Sequence, residues 1–330
     1  MATKQPGAHM AAEIAQSPQV FAAAATAQHI APDLSNIRAL YTIARGSSDA
    51  AANILSYEYM RELGLPVTSL PPSIFSIGAG VEMTDSATIV ISQSGASDDL
   101  VRSARGIRAR GGAVLAITNT PGSPVEAAAT ATLPINAGPE LAVPATKSVI
   151  GAIGTGMALL AAIKPGYAAH ASAATFASLA TSHPQAAALT SALLRADHVY
   201  VIGRDTGFGA AHEVALKIKE CCALHAEAYS SSEVLHGPLQ LVTNPLLILM
   251  LDTEAPGTAD SMDTAEARFR TAGATVFRIR PGDVGATDLT PAAAAAVLLY
   301  LLYPVILATA TALGHDPDQP ATLSKVTQTT

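Results

Sequence analysis

Charge, aromatic residues and cysteine are all scarce in this chain of 330 residues. Charged residues make up 14% of it and aromatic residues 4%, and tryptophan is absent. Proteins that bind single-stranded nucleic acid need basic grooves and aromatic stacking platforms, and a formal net charge of −7 disfavours any polyanion. The sequence therefore predicts no nucleic-acid partner. A small anion is still allowed, because the N–H groups at a helix N-terminus bind phosphate without net positive charge.

The two cysteines, Cys221 and Cys222, are adjacent in the sequence. This excludes a disulfide framework and any zinc site that needs spaced thiolates, and we predict that both are small core residues. The nine histidines form no His-x-His or His-Glu-x-x-His pattern. A dinucleotide is not expected either, because Gly78-Ala79-Gly80 lacks the third glycine of that signature. We therefore expect neither a metal nor a cofactor.

The first ten residues lack a basic segment followed by an apolar run, so no secretory signal is predicted and a cytoplasmic location is expected. Residues 292–313 carry no charged side chain and are long enough to cross a membrane. No basic cluster flanks this run, Asp288 and Asp316 lie close outside it, and Pro304 interrupts it. We therefore expect a buried helix and no membrane association.

Short apolar runs alternate with helical patterns along most of the chain. The strand-like runs are residues 39–45, 65–70, 87–92, 113–118, 131–135, 198–203, 246–252 and 275–280. Such alternation predicts an α/β fold with mostly parallel sheets and helices on both faces. Because the pattern restarts after residue 193, we expect two copies of one α/β unit. The predicted divisions are a helical segment at 1–34, a first unit at 35–165, a linker with a bridging helix at 166–193, and a second unit at 194–330.

A hydroxyl-rich turn follows the strand predicted at 87–92 and precedes a helix. It reads Ser92-Gln93-Ser94-Gly95-Ala96-Ser97, and Ser47 and Ser48 occupy the equivalent turn after the first strand. Serines at such turns often only cap the helix. Two serine-bearing turns at the carboxyl ends of neighbouring strands can instead converge on one anion. The sequence thus offers either helix capping or a phosphate cradle.

Glu213, Lys217 and Glu220 fall on one face of a helix predicted over residues 210–224. A Glu/Lys/Glu stripe is commonly a solvated salt-bridge face, but this helix is largely apolar. It is followed by His236, which precedes Gly237-Pro238. A carboxylate, an ammonium and an imidazole close together would suit proton transfer in enol chemistry.

Three groups of residues resemble SIS (sugar isomerase) domains. Ser92-Gln93-Ser94-Gly95 resembles their sugar-phosphate signature. The second SIS domain of the glucosamine-6-phosphate synthase isomerase module is similar to the run from Gly203-Arg204 through Glu213, Lys217 and Glu220 to His225-Ala-Glu227 and His236-Gly237-Pro238. The C-terminal tail of that module is similar to Asp316-Pro-Asp318-Gln319-Pro320 followed by Leu323-Ser324-Lys325-Val326. The resemblance covers about residues 35–330. It implies two flavodoxin-like three-layer α/β/α domains.

The resemblance also implies roles for individual residues. His236 would open the sugar ring as an acid/base, Glu220 would move the C2 proton, and Lys217 would stabilise the enolamine. Lys325 would form a Schiff base at C2 or close the site; without the resemblance it would be a solvated terminal lysine. The 6-phosphate would bind Ser92, Gln93, Ser94 and Ser97, with Ser47 and Ser48 nearby. Glu140 and Val143 are weaker candidates, and Glu227 and Glu233 are expected to be structural.

The chain departs from that module at several points. Ala145 stands where the synthase has a serine, and Ser97 replaces a threonine while keeping the hydroxyl. Because the only cysteines lie within a predicted helix, we do not expect the synthase's glutaminase activity.

The predicted function is isomerising deamination of glucosamine 6-phosphate to fructose 6-phosphate and ammonia, as in the second type of glucosamine-6-phosphate deaminase. The alternatives are a ketose–aldose isomerase or a fructosamine-6-phosphate deglycase acting on another 6-phosphorylated sugar, and a non-catalytic sugar-phosphate sensor. The resemblance and the long uncharged helices also predict a homodimer, in which the His-Gly-Pro loop of one subunit completes the site of the other.

Overall fold

The first half of the chain forms a five-stranded parallel sheet. The computed structural model describes residues 5–30, 32–179 and 182–325. The strands are β1 (Ala39–Ile43), β2 (Val67–Ser69), β3 (Ser86–Ser92), β4 (Ala113–Thr118) and β5 (Ala131–Pro134), in the order β2-β1-β3-β4-β5. This is the flavodoxin-like order, in which strands are added on one side of β1 and then on the other, so that a crevice forms at the carboxyl ends of β1 and β3.

The second half repeats this arrangement with four strands. They are β6 (His198–Gly203), β7 (His225–Ser230), β8 (Leu247–Leu251) and β9 (Thr275–Ile279), in the order β7-β6-β8-β9. All strand pairs among the described residues are parallel. The repeated α/β unit predicted from the sequence is therefore confirmed.

Eleven helices surround the sheets in the described parts of the chain. They are α1 (Ala8–Ala25), α2 (Gly46–Leu63), α3 (Ser73–Ser76), α4 (Asp98–Ala109), α5 (Pro124–Ala128), α6 (Lys147–Ile163), α7 (Ala169–Ala177), α8 (Ala186–Leu193), α9 (Thr206–Cys222), α10 (Ala259–Thr271) and α11 (Pro291–Ala312). Short 3₁₀ turns at Glu233–His236, Pro238–Thr243 and Pro281–Val284 complete the connections.

One hydrophobic core joins the facing sides of the two sheets. It contains Leu40 and Val199 from the sheets, Phe21 from α1, Ile153 from α6 and Tyr300 from α11. Separate clusters cover the outer faces, beneath α4 and α5 on the first sheet and beneath α10 on the second. Each sheet therefore lies between two helical layers, as the resemblance implies.

Helix α11 corresponds to the long uncharged run. By length and composition alone it could cross a membrane, but 83% of its apolar 18-residue window is buried. It packs against α9, α8 and α6. It is a core helix of this fold, because its apolar side chains are covered by neighbouring helices.

The structure differs from the sequence-based expectations in three local respects. Residues 225–230 form β7, a strand that the sequence analysis did not predict, because its pattern His-Ala-Glu-Ala-Tyr-Ser has little apolar character. The segment expected to hold one bridging helix contains two, α7 and α8. Helix α9 begins at residue 206 instead of 210, where Asp205 caps it by accepting the N–H of Thr206 at 2.7 Å. Residues 326–330, predicted as the end of the second unit, lie outside the described residues.

Candidate active site

A cavity of about 330 Å³ opens at the carboxyl ends of β1 and β3, the crevice that the strand order creates. Four parts of the chain line it: the turn after β1, the turn after β3, the loop before α6, and the tail after α11 together with α9. The lining residues are Arg45, Gly46, Ser47, Ser48, Ile91, Ser92, Gln93, Ser94, Ser97, Leu100, Val143, Ala145, Glu220, Leu323, Ser324 and Lys325.

The serine turn after β3 is folded so that backbone and hydroxyl groups surround one end of the cavity. Ser92 Oγ accepts the N–H of Gly95 at 3.1 Å, and Ser94 Oγ accepts the N–H of Ala96 at 3.3 Å. Gly95 has a positive φ of 61°, and a Cβ there would lie 2.1 Å from Ser123 Oγ, so only glycine fits. The predicted cradle residues Ser92, Gln93, Ser94 and Ser97 all line the cavity.

The turn after β1 faces the cradle and adds a basic group that the sequence analysis missed. Ser47 and Ser48 line the cavity as predicted, and so does Arg45. The Arg45 guanidinium donates to the buried carboxylate of Asp99 at 2.9 Å and is about half exposed. Its position directly before Gly46 was the available signal, since a basic residue at a strand's carboxyl end is well placed for an anion.

Behind the cavity, Lys217 lies in a buried polar network. Its ammonium donates to Ser47 Oγ at 2.7 Å and to Glu220 Oε2 at 2.8 Å, and lies 3.1 Å from Glu213 Oε1. Tyr303 also donates to Glu213, at 3.1 Å. The side chains of Glu213 and Lys217 are 0% exposed, whereas Glu220 is 24% exposed and reaches the cavity. The interpretation as a solvated salt-bridge face is therefore wrong for Glu213 and Lys217.

Burial and charge compete within this network. Burial raises the pKa of Glu213, and the ammonium of Lys217 opposes that rise. For Lys217, burial disfavours the charge, but the two carboxylates outweigh it and hold its pKa above the usual value. Lys217 is therefore a permanently charged group next to Glu220 and Ser47, and it can stabilise negative charge that develops at the cavity wall.

Glu140 and Lys325 interact beside the loop that precedes α6. Glu140 is buried and accepts the N–H groups of Thr146 and Ser148, at 3.0 and 3.1 Å. Lys325 Nζ lies 3.5 Å from Glu140 Oε2 and donates to the Ala142 carbonyl at 2.6 Å. Glu140 itself does not line the cavity, whereas Val143 and Lys325 do. Leu323 and Ser324 also line it and were not predicted.

His236 does not lie with these residues. It ends the 3₁₀ turn Glu233–His236, is exposed, and does not line the cavity. Within one chain, the structure therefore brings Glu220, Lys217 and Lys325 together with the serines but leaves His236 outside. Its assigned role remains a prediction.

Within residues 5–30, 32–179 and 182–325 no cluster of three or more His, Cys, Asp or Glu side chains could hold a metal ion. Cys221 and Cys222 are buried free thiols, and burial raises the pKa of each to about 12. Both are packed into the core, as predicted.

Comparisons with known proteins show the family to which the chain belongs. The SIS domain family matches residues 33–162 and 192–280. A glutamine–fructose-6-phosphate aminotransferase (isomerizing) from Symbiobacterium thermophilum is 30% identical over 89% of this chain and 52% of its own length. The chain spans about half the length of the curated relatives it matches.

Solved structures extend the likeness over nearly the whole chain. A Silicibacter pomeroyi protein provisionally described as a phosphosugar isomerase is 30% identical, with a TM-score of 0.80 over 94% of this chain and 99% of its own. A glucosamine-6-phosphate deaminase from Thermotoga maritima is 21% identical, with a TM-score of 0.76 over 98% of this chain and 100% of its own, which shows a shared fold. The chain belongs to the SIS domain family and has the fold of its phosphosugar isomerases.

Proposed function

We propose that this protein converts glucosamine 6-phosphate to fructose 6-phosphate and ammonia. The observation that carries the proposal is that one cavity is lined both by the serines of the predicted anion cradle and by Glu220, whose carboxylate accepts from the buried ammonium of Lys217. A sugar phosphate held by its 6-phosphate would extend from the cradle toward Glu220. A sensor would need only the cradle, so this buried charge network favours an enzyme.

The cradle would bind the phosphate through hydroxyl and backbone N–H groups. Ser92, Gln93, Ser94 and Ser97 form one wall, and Ser47 and Ser48 form the other. The N-termini of α2 and α4 point at the same space, and their dipoles favour an anion. Arg45 would add a positive charge at the rim.

Glu220 would then act on the open-chain aldose. Its carboxylate takes the proton from C2 while O1 gains a proton, which gives an enolamine. Glu220 then returns its proton to C1 while the amino nitrogen loses one, which leaves a hydroxyl at C1 and an imine at C2. Water adds to this imine, ammonia leaves, and the C2 ketone of fructose 6-phosphate remains. Lys217 lies 2.8 Å from Glu220 and would stabilise the negative charge of the enolamine.

Lys325 would close the site in the arrangement described here. Its side-chain nitrogen donates to the Ala142 carbonyl at 2.6 Å and lies 3.5 Å from Glu140 Oε2. A Schiff base at C2 would require Lys325 to leave both partners and lose its proton. These contacts favour the closing role over the covalent one.

His236 would act from a second copy of the chain. The residue is exposed and outside the cavity of its own chain. We propose a homodimer in which His236 of the partner subunit supplies the acid/base for ring opening. Light scattering at micromolar concentration should give the mass of a dimer, and a fully active monomer would contradict this arrangement.

A ketose–aldose isomerase on another 6-phosphorylated sugar is the second candidate. It is favoured by the 30% identity to the Silicibacter pomeroyi protein provisionally described as a phosphosugar isomerase. A panel of phosphorylated sugars, assayed for both ammonia release and isomer formation, distinguishes the two functions. Ammonia with fructose 6-phosphate from glucosamine 6-phosphate is expected. Isomer formation without ammonia would support the second candidate, and binding without any turnover would support a sensor.

A further inference from the structure

The N-terminal helix α1 lies outside the residues that match the SIS family, and none of its side chains lines the cavity. It nevertheless carries a carboxylate, Glu13, which is only 4% exposed. Burial raises the pKa of this carboxyl group. Burying a carboxylate is costly unless hydrogen bonds compensate. The hydrogen-bond partners of Glu13 therefore identify the segment that helix α1 holds in place.

Glu13 holds the loop that carries the site's weaker candidates. Its Oε1 accepts the N–H of Leu141 and, at 3.3 Å, the N–H of Ala142. These residues follow Glu140 and precede Val143, which lines the cavity. One carboxylate oxygen therefore fixes two consecutive peptide groups at the edge of the site.

The same peptide segment holds Lys325. Ala142 donates its N–H to Glu13 and accepts the Lys325 ammonium on its carbonyl at 2.6 Å. Ala142 thus links the two side chains, through the N–H of one peptide group and the carbonyl of the next. Glu13 and Lys325 therefore contact the same residue of the loop.

The C-terminal tail also binds α1 directly, at the start of the helix. The Asp318 carboxylate accepts the N–H groups of His9 and Met10, at 2.9 and 2.8 Å. The Asp318 carbonyl accepts the N–H of Val143 at 3.0 Å. Asp316 accepts the N–H of Gly7 at 3.0 Å. Helix α1, loop 139–143 and tail 316–325 are therefore joined pairwise; we name these three segments the α1 clamp.

We propose that Glu13 is a positioning residue of the active site, which acts through Ala142 and the α1 clamp to hold Lys325 over the cavity. This inference rests on the proposed function for its catalytic consequence. Its structural part, the dependence of Lys325 on Glu13, stands on the contacts alone and is tested separately.

The first test measures Lys325 without any substrate. The intact protein is treated with acetic anhydride, and peptide mass spectrometry follows acetylation of Lys325 with Lys164 as internal reference. In Glu13→Ala the labelling rate of Lys325 should rise about tenfold, because Leu141 and Ala142 lose their acceptor and the loop releases the ammonium. Glu13→Gln keeps one oxygen that accepts both N–H groups, so it should stay near the wild-type rate.

The matched control is Ile14→Ala on the same helix. Ile14 is 3% exposed and packs in the core, so its truncation destabilises α1 without removing a hydrogen bond to the loop. Lys325 labelling should be unchanged in this variant even if its unfolding temperature falls as far as that of Glu13→Ala. Unchanged labelling in Glu13→Ala, or an equal rise in Ile14→Ala, overturns the inference.

The second test is kinetic. In Glu13→Ala, kcat should fall about 10- to 100-fold, the range expected when a site group is displaced by about 1 Å. Calorimetric affinity for inorganic phosphate should not change, because the cradle lies on the turns after β1 and β3. A normal kcat in Glu13→Ala overturns the catalytic part. If the unmodified protein turns over no phosphorylated sugar, the proposed function fails, and the labelling result alone decides whether Glu13 positions Lys325.

Discussion

Replacing Lys217 by methionine tests the buried charge network at its centre. Methionine keeps most of the volume and removes the ammonium that lies 3.1 Å from Glu213 and 2.8 Å from Glu220. Removing one partner from a buried ion pair costs about 3–5 kcal/mol, because the other charge is left without compensation. Glu213 is fully buried, and one of its oxygens already lacks a hydrogen-bond partner. We therefore expect the loss of folding stability in Lys217→Met at pH 8 to fall in the upper part of this range.

The loss should depend on pH in a definite direction. Burial already raises the pKa of Glu213 above 4.5, and without Lys217 it rises further. In the unfolded chain the carboxyl group of Glu213 has its ordinary pKa near 4.5. Folding of the variant is therefore penalised increasingly as pH rises above 4.5, until the folded-state pKa is passed. At pH 5 the folded variant keeps Glu213 neutral, and most of the penalty disappears.

Urea unfolding at pH 5 and pH 8 measures the loss of stability in Lys217→Met and its dependence on pH. The double variant Glu213→Gln/Lys217→Met should recover most of the stability at pH 8, because no uncompensated carboxylate remains in the core. Glu213→Gln alone serves as the matched single variant. A loss below about 1 kcal/mol at pH 8, equal losses at both pH values, or no recovery in the double variant would refute the buried network.

Three further predictions concern the cradle, a second buried carboxyl group and the thiols. Ser94→Ala should weaken calorimetric binding of sugar phosphates by about 1–3 kcal/mol, since a hydrogen bond to a charged group is lost; unchanged affinity would count against the cradle. Burial raises the pKa of Glu58 to about 7. The favourable contribution of Glu58 to folding stability is therefore complete below pH 4.5 and is lost as pH rises through 7. The stability of Glu58→Gln relative to wild type should therefore increase between pH 5 and pH 8. If the melting temperatures of the two proteins change in parallel over this pH range, the prediction is wrong. Cys221 and Cys222, whose pKa values are near 12, should resist a disulfide reagent at pH 8 until the protein unfolds; rapid native labelling would contradict their burial.

Strands with strong apolar patterns could be predicted from the sequence, and strands without them could not. Runs such as 87–92 and 246–252 are mostly apolar, and both form central strands. Strand β7 lies at the edge of its sheet, where a strand needs fewer apolar residues, and its side chains are mostly only partly buried. Its sequence therefore lacked the signal on which the prediction relied.

The cradle could be predicted because it is local, whereas the contacts around Lys325 are not. Ser92 to Ser97 are contiguous, and a strand–turn–helix pattern is enough to place them at a helix N-terminus. Lys325 and Ala142 are 183 residues apart, and Glu13 and Ala142 are 129 apart. No periodicity in the sequence reports such pairings, since they depend on where the tail returns to α1. Glu140 was named as a weak candidate, and its partners became visible only in the fold.

Glu220→Gln tests the central claim most directly. The variant keeps the size of the side chain and an oxygen that can accept from Lys217, but it loses the basicity that proton transfer from C2 requires. Ammonia release from glucosamine 6-phosphate and calorimetric binding of the same sugar are measured side by side for the variant and the wild type. The account predicts that turnover falls about 10²–10⁴-fold while affinity is nearly unchanged, because the loss is confined to the transition state. Near-normal ammonia release from Glu220→Gln would contradict it.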